Sequence, residues 1–225
     1  MSPAEIYEKA KKQHDQNLQR LLIVEDNDEL RNYLTHTLSD NYTIQTCSNG
    51  KEALTIVKEY MPELIISDIM MPEMRGDELC AAIKNDIETS HIPIILLTAL
   101  NDEKNILEGL KIGADEYIVK PFNIGILKAT IANLLTNRAL LKSKYANLEV
   151  SEEEEVSPNC ATDLDWKFIA TVKKSVEENI DNPAFNVDVL CNLLNMSRTS
   201  FYNKLKALTD QLSLIHISEP TRLQL

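Results

Sequence analysis

The sequence predicts an α/β protein built on a doubly wound, five-stranded parallel sheet, followed by a small all-α unit. Three observations carry this. Strand-like runs recur near residues 21–25, 42–47, 64–67, 94–97 and 116–119. Most are continuous apolar runs rather than alternating ones, as expected of strands covered on both faces. Amphipathic segments fill the gaps, the alternation that builds a parallel sheet with helices on both sides.

Taken in order, residues 1–19 are polar, with Ile6, Tyr7 and Leu18 as scattered apolar anchors, and read as a solvated helix or linker. Leu21-Leu22-Ile23-Val24 is the first strand and ends in Glu25-Asp26. Leu30, Tyr33, Leu34, Thr37 and Leu38 then repeat at helical spacing, as do Ala53, Leu54 and Val57 after the second strand, and Leu79 with Ile83 after the third. The third strand, Leu64-Ile65-Ile66-Ser67, ends in Asp68 and is followed by Ile69-Met70-Met71-Pro72. The fourth, Ile94-Ile95-Leu96-Leu97, ends in Thr98-Ala99, and the fifth, Glu116-Tyr117-Ile118-Val119, ends in Lys120-Pro121. Gly50, Gly76, Gly113, Pro62 and Pro93 fall at the junctions, where helix ends and turns need them. A last helix is predicted after Phe122, with Ile126, Leu127, Thr130, Ile131, Leu134 and Leu135 as its buried stripe, and Leu140, Leu141, Tyr145 and Leu148 prolong it. Like charges with Ser and Pro at 149–159 cannot bury a core and read as a tether.

In an open parallel sheet the carboxyl ends of neighbouring strands share one crevice, where ligands bind. Glu25, Asp26, Asp68, Thr98 and Lys120 all stand at such ends, so three carboxylates, a hydroxyl and an ammonium are expected to meet. This set, in this order and spacing, resembles the receiver domain of two-component response regulators, here spanning 20–136, with a flavodoxin-like fold. The resemblance implies Asp68 as phospho-acceptor from a histidine kinase, a Mg2+ ion held by Glu25, Asp26, Asp68 and the backbone carbonyl of Met70, and Lys120 and Thr98 on the phosphoryl oxygens. It also implies a switch in which Thr98 moves inward and Tyr117 rotates, a cis Lys120-Pro121 bond, and homodimerisation through the receiver. Met70 and Leu100 would flank the pocket and slow water attack. The aspartyl phosphatases are a chemical rival, but they place a second acid two residues after the nucleophile, where this chain has Met70.

The chemistry fits these residue types. A carboxylate attacking a phosphoryl group brings anion to anion, so positive charge must lie between them. Magnesium favours one or two carboxylates with phosphate oxygens and water. Little else is needed, because phosphoryl transfer is mostly positioning and electrostatics. Singly, each residue has a plain structural reading: a helix cap for Glu25-Asp26, a turn for Lys120-Pro121, a packing role for Tyr117.

After an extended helix and acidic linker at 137–162, a new pattern begins. Trp166, Ile169, Val172, Val176 and Ile180 suggest one helical face, and Val187, Val189, Leu190, Leu193 and Leu194 a short helix. Ser197 is a predicted N-cap. The next helix, 198–208, would bury Phe201, Leu205 and Leu208 and turn Arg198, Thr199, Tyr202, Asn203 and Lys206 outward. Residues 163–211 resemble the first half of an AraC-type helix-turn-helix domain, carried by Val187-Asp188-Val189-Leu190 and by 196–209. That implies DNA contacts through Arg198, Thr199, Tyr202, Asn203 and Lys206. A small protein-docking module is the structural alternative. Residues 196–209 carry Arg198, Lys204 and Lys206 and no acid. Asp210 stands where the family has glycine. Residues 212–225 do not continue the family pattern; they resemble translated sequencing-adapter DNA and are expected to be a non-native tail, leaving the DNA-reading unit partial.

A receiver followed by an AraC-type unit is similar to the C-terminal arrangement of hybrid sensor kinases of Bacteroidetes. The sequence therefore carries three expectations: a DNA-binding regulator controlled by phosphorylation, the end of a membrane-anchored hybrid kinase whose kinase core is absent here, or a phosphate-sink or docking receiver. The chain itself is expected not to be an enzyme. The net charge of −12 over 225 residues argues against wholesale nucleic-acid binding. Cys47, Cys80, Cys160 and Cys191 form no C-x-x-C pair, which suits reduced thiols and a cytoplasmic setting. No run approaches the ~18 apolar residues of a membrane span.

Overall fold

The computed structural model describes residues 18–99, 113–146, 162–179, 182 and 185–209, with backbone alone for 141–146. The chain divides into two units, residues 1–84 with 92–135, and residues 85–91 with 136–225.

The first unit is a five-stranded parallel sheet in the order β2-β1-β3-β4-β5. Its strands are β1 (Gln19–Val24), β2 (Tyr42–Cys47), β3 (Leu64–Asp68), β4 (Ile94–Ala99) and β5 (Glu116–Lys120). In register, Val24 pairs with Ser67, Asp68 with Leu97, and Thr98 with Val119. The strand order reverses between β1 and β3, so the crevice for a ligand opens at their carboxyl ends.

Why the central strands are so apolar is clear from their two faces. Leu22, Val24, Ile65, Ile94 and Leu96 enter one core, with Ala53 and Val57 from α2 (Gly50–Tyr60) and Leu79, Cys80 and Ile83 from α3 (Gly76–Asn85). Leu21, Ile23, Leu64, Ile66, Ile95 and Leu97 enter the other, with Leu34 and Leu38 from α1 (Asp28–Leu38) and Leu127, Ile131 and Leu135 from α4 (Ile124–Ala146). At about 1.5–3 kcal/mol for each fully buried large aliphatic side chain, these two layers dominate the unit's stability. Of the stripes read from sequence, Tyr33 and Ile126 lie outward instead, 51% and 60% exposed.

Asparagines start the first two helices. The Asn27 side chain accepts from Leu30 N–H at 2.9 Å, and that of Asn49 from Glu52 N–H at 2.9 Å. Each satisfies an amide left without a helical partner. The N-cap of α1 thus directly follows the acidic pair, fixing where the strand stops. The Lys120-Pro121 bond is cis, as expected. The helix expected between β4 and β5 lies outside the described residues, as do most of residues 1–19, Leu100, most of the acidic linker and the tail at 212–225.

The second unit contains α5 (Asp163–Glu178), α6 (Val187–Leu193) and α7 (Arg198–Thr209). Thr162 and Asp165 form a reciprocal capping box at the start of α5. The buried face of α5 is Asp165, Phe168, Val172 and Ser175. Of the stripe read from sequence, Val172 is buried here and Ile169 packs, half-buried, against the same cluster, while Ile180 lies outside the described residues; Asp165, Phe168 and Ser175 are the additions. Phe168 packs on Phe201 of α7 with ring centroids 5.8 Å apart, and Leu190, Met196, Leu205 and Leu208 complete the cluster. Asn195, at φ 53°, turns the chain from α6 toward α7, and Ser197 Oγ accepts from Ser200 N–H at 3.0 Å as the expected N-cap.

Candidate functional site

The crevice at the strand ends holds the predicted charged cluster. Glu25, directly after β1, is 1% exposed, and Asp68, the last residue of β3, 9% exposed. Oxygens of Glu25, Asp26 and Asp68 lie within 4.8 Å of one another. Lys120, at the end of β5, closes the cluster: its Nζ lies 2.8 Å from Glu25 Oε2 and 3.0 Å from Asp68 Oδ2. One ammonium thus bridges two carboxylates brought from separate strands.

The remaining oxygens divide the roles. Glu25 Oε1 accepts from Asn27 N–H at 3.3 Å, so both its oxygens are engaged. Asp68 Oδ1 accepts from Ile69 N–H at 2.8 Å. Asp26 is exposed. Burial raises Glu25 above the usual carboxylate range, and Lys120 only partly counters this. Burial works to lower Lys120, but its bonds to Glu25 and Asp68 outweigh that and hold the ammonium above its ordinary value. Three hard oxygen ligands this close suit a small divalent cation.

The loop after β3 keeps Asp68 in place. Gly76 N–H donates to Ile69 O at 3.0 Å. A Cβ at Gly76 would lie 2.0 Å from the Asp68 carbonyl oxygen, so glycine is required by close approach. Met70 presents an exposed side chain whose Sδ accepts from Arg75 Nη1 at 3.1 Å.

The two predicted switch residues are inward. Thr98 is 1% exposed, and its hydroxyl donates to Ala99 O at 3.4 Å. Tyr117 packs against the core layer of α2 and α3. Its hydroxyl is buried with no hydrogen-bond partner among the described residues, and burial pushes its pKa up to about 12. The buried thiols of Cys47 and Cys80 are likewise pushed up to about 12, mainly by burial, which leaves them inert at neutral pH.

In the helical unit, Arg198, Thr199, Asn203 and Lys206 are exposed and Tyr202 half-buried, on one side of α7. Arg198 Nε lies 2.6 Å from Asp188 Oδ1, an exposed pair. Lys204, counted in the sequence as part of the basic segment, is different. It is fully buried, with Nζ 2.6 Å from Asp165 Oδ1 and 2.9 Å from Ser90 Oγ of the same unit, and 5.4 Å from the Phe168 ring centroid. Its charge is neutralised internally, so the segment presents two cations rather than three. Burial works to raise the Asp165 carboxyl, but the Lys204 ammonium beside it wins and holds it below the usual range.

Two residues escaped the sequence reading. Asp165 was signalled by the Thr-x-x-Asp capping box and by its spacing with Phe168 and Val172. Arg31 was signalled only by its place one turn into α1. Its Nη1 donates to Glu25 O at 2.6 Å and Asp26 O at 3.4 Å.

A family model for the response regulator receiver domain matches residues 21–132. Histidine kinase P4 of Formosa agariphila is 43% identical over 190 residues, covering 84% of this chain and 14% of that protein. The probable transcriptional regulator ycf27 of Guillardia theta is 42% identical over 128 residues, 56% of this chain and 49% of that one. The chain therefore spans half or less of these curated relatives. Among solved structures, a putative response regulator from Chloroflexus aurantiacus is 30% identical with a TM-score of 0.51, covering 53% of this chain and 99% of that one. The receiver domain of a signal transduction histidine kinase from Syntrophus aciditrophicus is 33% identical with a TM-score of 0.51, covering 62% and 98%. No helix among the described residues is long and apolar enough to cross a membrane. With the strand order, the acidic crevice and these likenesses in agreement, the chain belongs, through residues 21–132, to the response regulator receiver family of two-component systems.

Proposed function

We propose that Asp68 accepts a phosphoryl group from a histidine kinase and that this controls the helical unit at 163–211. The supporting observation is the Lys120 ammonium shared between the buried carboxylates of Asp68 and Glu25. An Asp68 carboxylate oxygen forms the new bond to phosphorus as the donor's nitrogen–phosphorus bond breaks. Lys120 neutralises charge on the arriving group, and Thr98 donates its hydroxyl to it. Glu25, Asp26, Asp68 and the Met70 carbonyl would hold Mg2+, whose charge, when bound, offsets that of the phosphoryl oxygens. The chain's own contribution is to orient Asp68 through Ile69 N–H and to keep the acidic pair beside it.

The test uses the full chain with acetyl phosphate and Mg2+. Intact mass should rise by one phosphoryl group, and Asp68→Asn should abolish the rise. Persistence of the adduct in Asp68→Asn refutes the assignment.

For the output, we read α6 and α7 as a helix-turn-helix whose second helix enters the major groove, with Arg198 and Lys206 on phosphates and Thr199, Tyr202 and Asn203 toward base edges. Duplex binding should weaken with salt, and Arg198→Ala with Lys206→Ala should reduce that slope. Salt-independent or absent binding favours the docking or phosphate-sink reading. A second reading is the receiver-bearing end of a hybrid sensor kinase. The 190-residue likeness to a histidine kinase favours it, because that likeness is longer than the receiver match. Phosphotransfer from a separately prepared kinase core of such a protein would support it.

A further inference from the structure

We propose that Arg31 is a positioning residue for the acidic pair, one that sets how strongly the crevice takes a divalent cation. The proposal rests on the cation-binding reading of Glu25, Asp26 and Asp68 given above.

The carboxylate of Asp26 has no hydrogen-bond partner among the described residues, so its aim follows from the backbone beneath it. That backbone is tied down on several sides. Glu25 N–H donates to Cys47 O at 3.1 Å, joining it to β2. Asn27 N–H donates to Glu25 Oε1, and Asn27 Oδ1 caps α1. The two main-chain carbonyls of the pair are both received by one side chain. Arg31 reaches back from the second turn of α1, its side chain 19% exposed. Nη1 donates to Glu25 O at 2.6 Å and to Asp26 O at 3.4 Å, and Nη2 pairs with the Asp28 carboxylate. One planar fork therefore fixes positions 25, 26 and 28 relative to each other. A lysine cannot reproduce this, because its ammonium is a point donor on a flexible stem.

Charge alone argues the other way. A cation behind the acidic pair repels a metal ion, so if Arg31 acted only through its charge, removing it would tighten binding. The two accounts thus predict opposite signs. Losing a group that orients metal ligands typically costs about 10–100-fold in affinity. With carbonyls rather than ligand atoms held here, the low end of that range, about tenfold, is expected.

Mn2+ alone is titrated into the full chain, and the free ion is counted by electron paramagnetic resonance, with a thermal melt alongside. Arg31→Lys keeps the charge and loses the fork; about tenfold weaker binding is expected. Arg31→Gln removes the charge and, on the positioning account, also binds more weakly than wild type. Unchanged affinity in Arg31→Lys together with tighter binding in Arg31→Gln overturns the proposal. Should Arg31→Lys fail to fold, the sign of the change in Arg31→Gln decides. Asp26→Asn separates the two levels. If the wild type binds Mn2+ no better than Asp26→Asn, the cation-site reading falls, and the role of Arg31 with it.

Discussion

Lys204→Met removes a buried ammonium while keeping nearly the same aliphatic stem against Phe168. It leaves Asp165, 2% exposed, without its cation. At pH 7 the stranded carboxylate either stays charged or takes up a proton. Protonating it, starting from a normal value of 3.8, costs about 1.4 kcal/mol per pH unit, or about 4 kcal/mol in all. That bounds the loss from above and agrees with the ~3–5 kcal/mol found when one partner of a buried pair is deleted. Release of the lysine from its own desolvation trims the total, giving about 3 kcal/mol. With a urea slope of about 1 kcal/mol/M for a unit this small, the midpoint should fall by about 3 M. Trp166 is the only tryptophan in the chain and sits on α5, so its fluorescence reads the helical unit alone. A shift of less than about 1 M would mean the pair is not holding α5 and α7 together, and the reasoning would be refuted.

The same pair sets a pH dependence. Asp165 is depressed in the folded protein, so its contribution is complete above about pH 4 and is lost as pH falls through the folded value. Trp166 fluorescence should show the helical unit unfolding on acidification, whereas Lys204→Met should reverse the slope near neutrality, becoming more stable at pH 5 than at pH 7. Gly76→Ala places a methyl 2.0 Å from the Asp68 carbonyl oxygen. The loop must shift, costing about 1–3 kcal/mol, and acetyl-phosphate labelling should slow about 100-fold, as a displacement of about 1 Å does at a reacting centre; labelling at the wild-type rate counts against it. Met70, held by Arg75, should shield the phosphorylated Asp68 from water. The phosphorylated form should decay over minutes or longer in a gel that retards phosphoproteins, and decay within seconds would rule this out.

Much of the first unit was legible in the sequence because its signals are local and redundant. The central strands β1, β3 and β4 carry apolar runs because both of their faces are covered, and the register then brings Asp68 and Lys120 to the same end. Of the polar residues at those ends, Glu25, Asp26, Asp68 and Lys120 are brought together. What escaped depends on side-chain reach. Arg31 looks like any solvated helix residue, and only the fold returns its guanidinium to the carbonyls of Glu25 and Asp26. The face of α5 was read only in part because two polar residues, Asp165 and Ser175, occupy it beside Phe168, with Ile169 packed at its edge. A buried charge defeats hydrophobic periodicity unless its partner is known, and Lys204 lies 39 residues away in sequence.

Tyr117 carries a consequence of its own. Its ring is seated in the core while its hydroxyl meets neither water nor a protein acceptor among the described residues. An unsatisfied buried hydroxyl costs about 1–3 kcal/mol, and ring burial returns an amount of the same order. Turning the ring so that its hydroxyl meets water would therefore recover that ~1–3 kcal/mol while giving up ring burial, which makes such a move cheaper here than for a core aromatic with no polar tip.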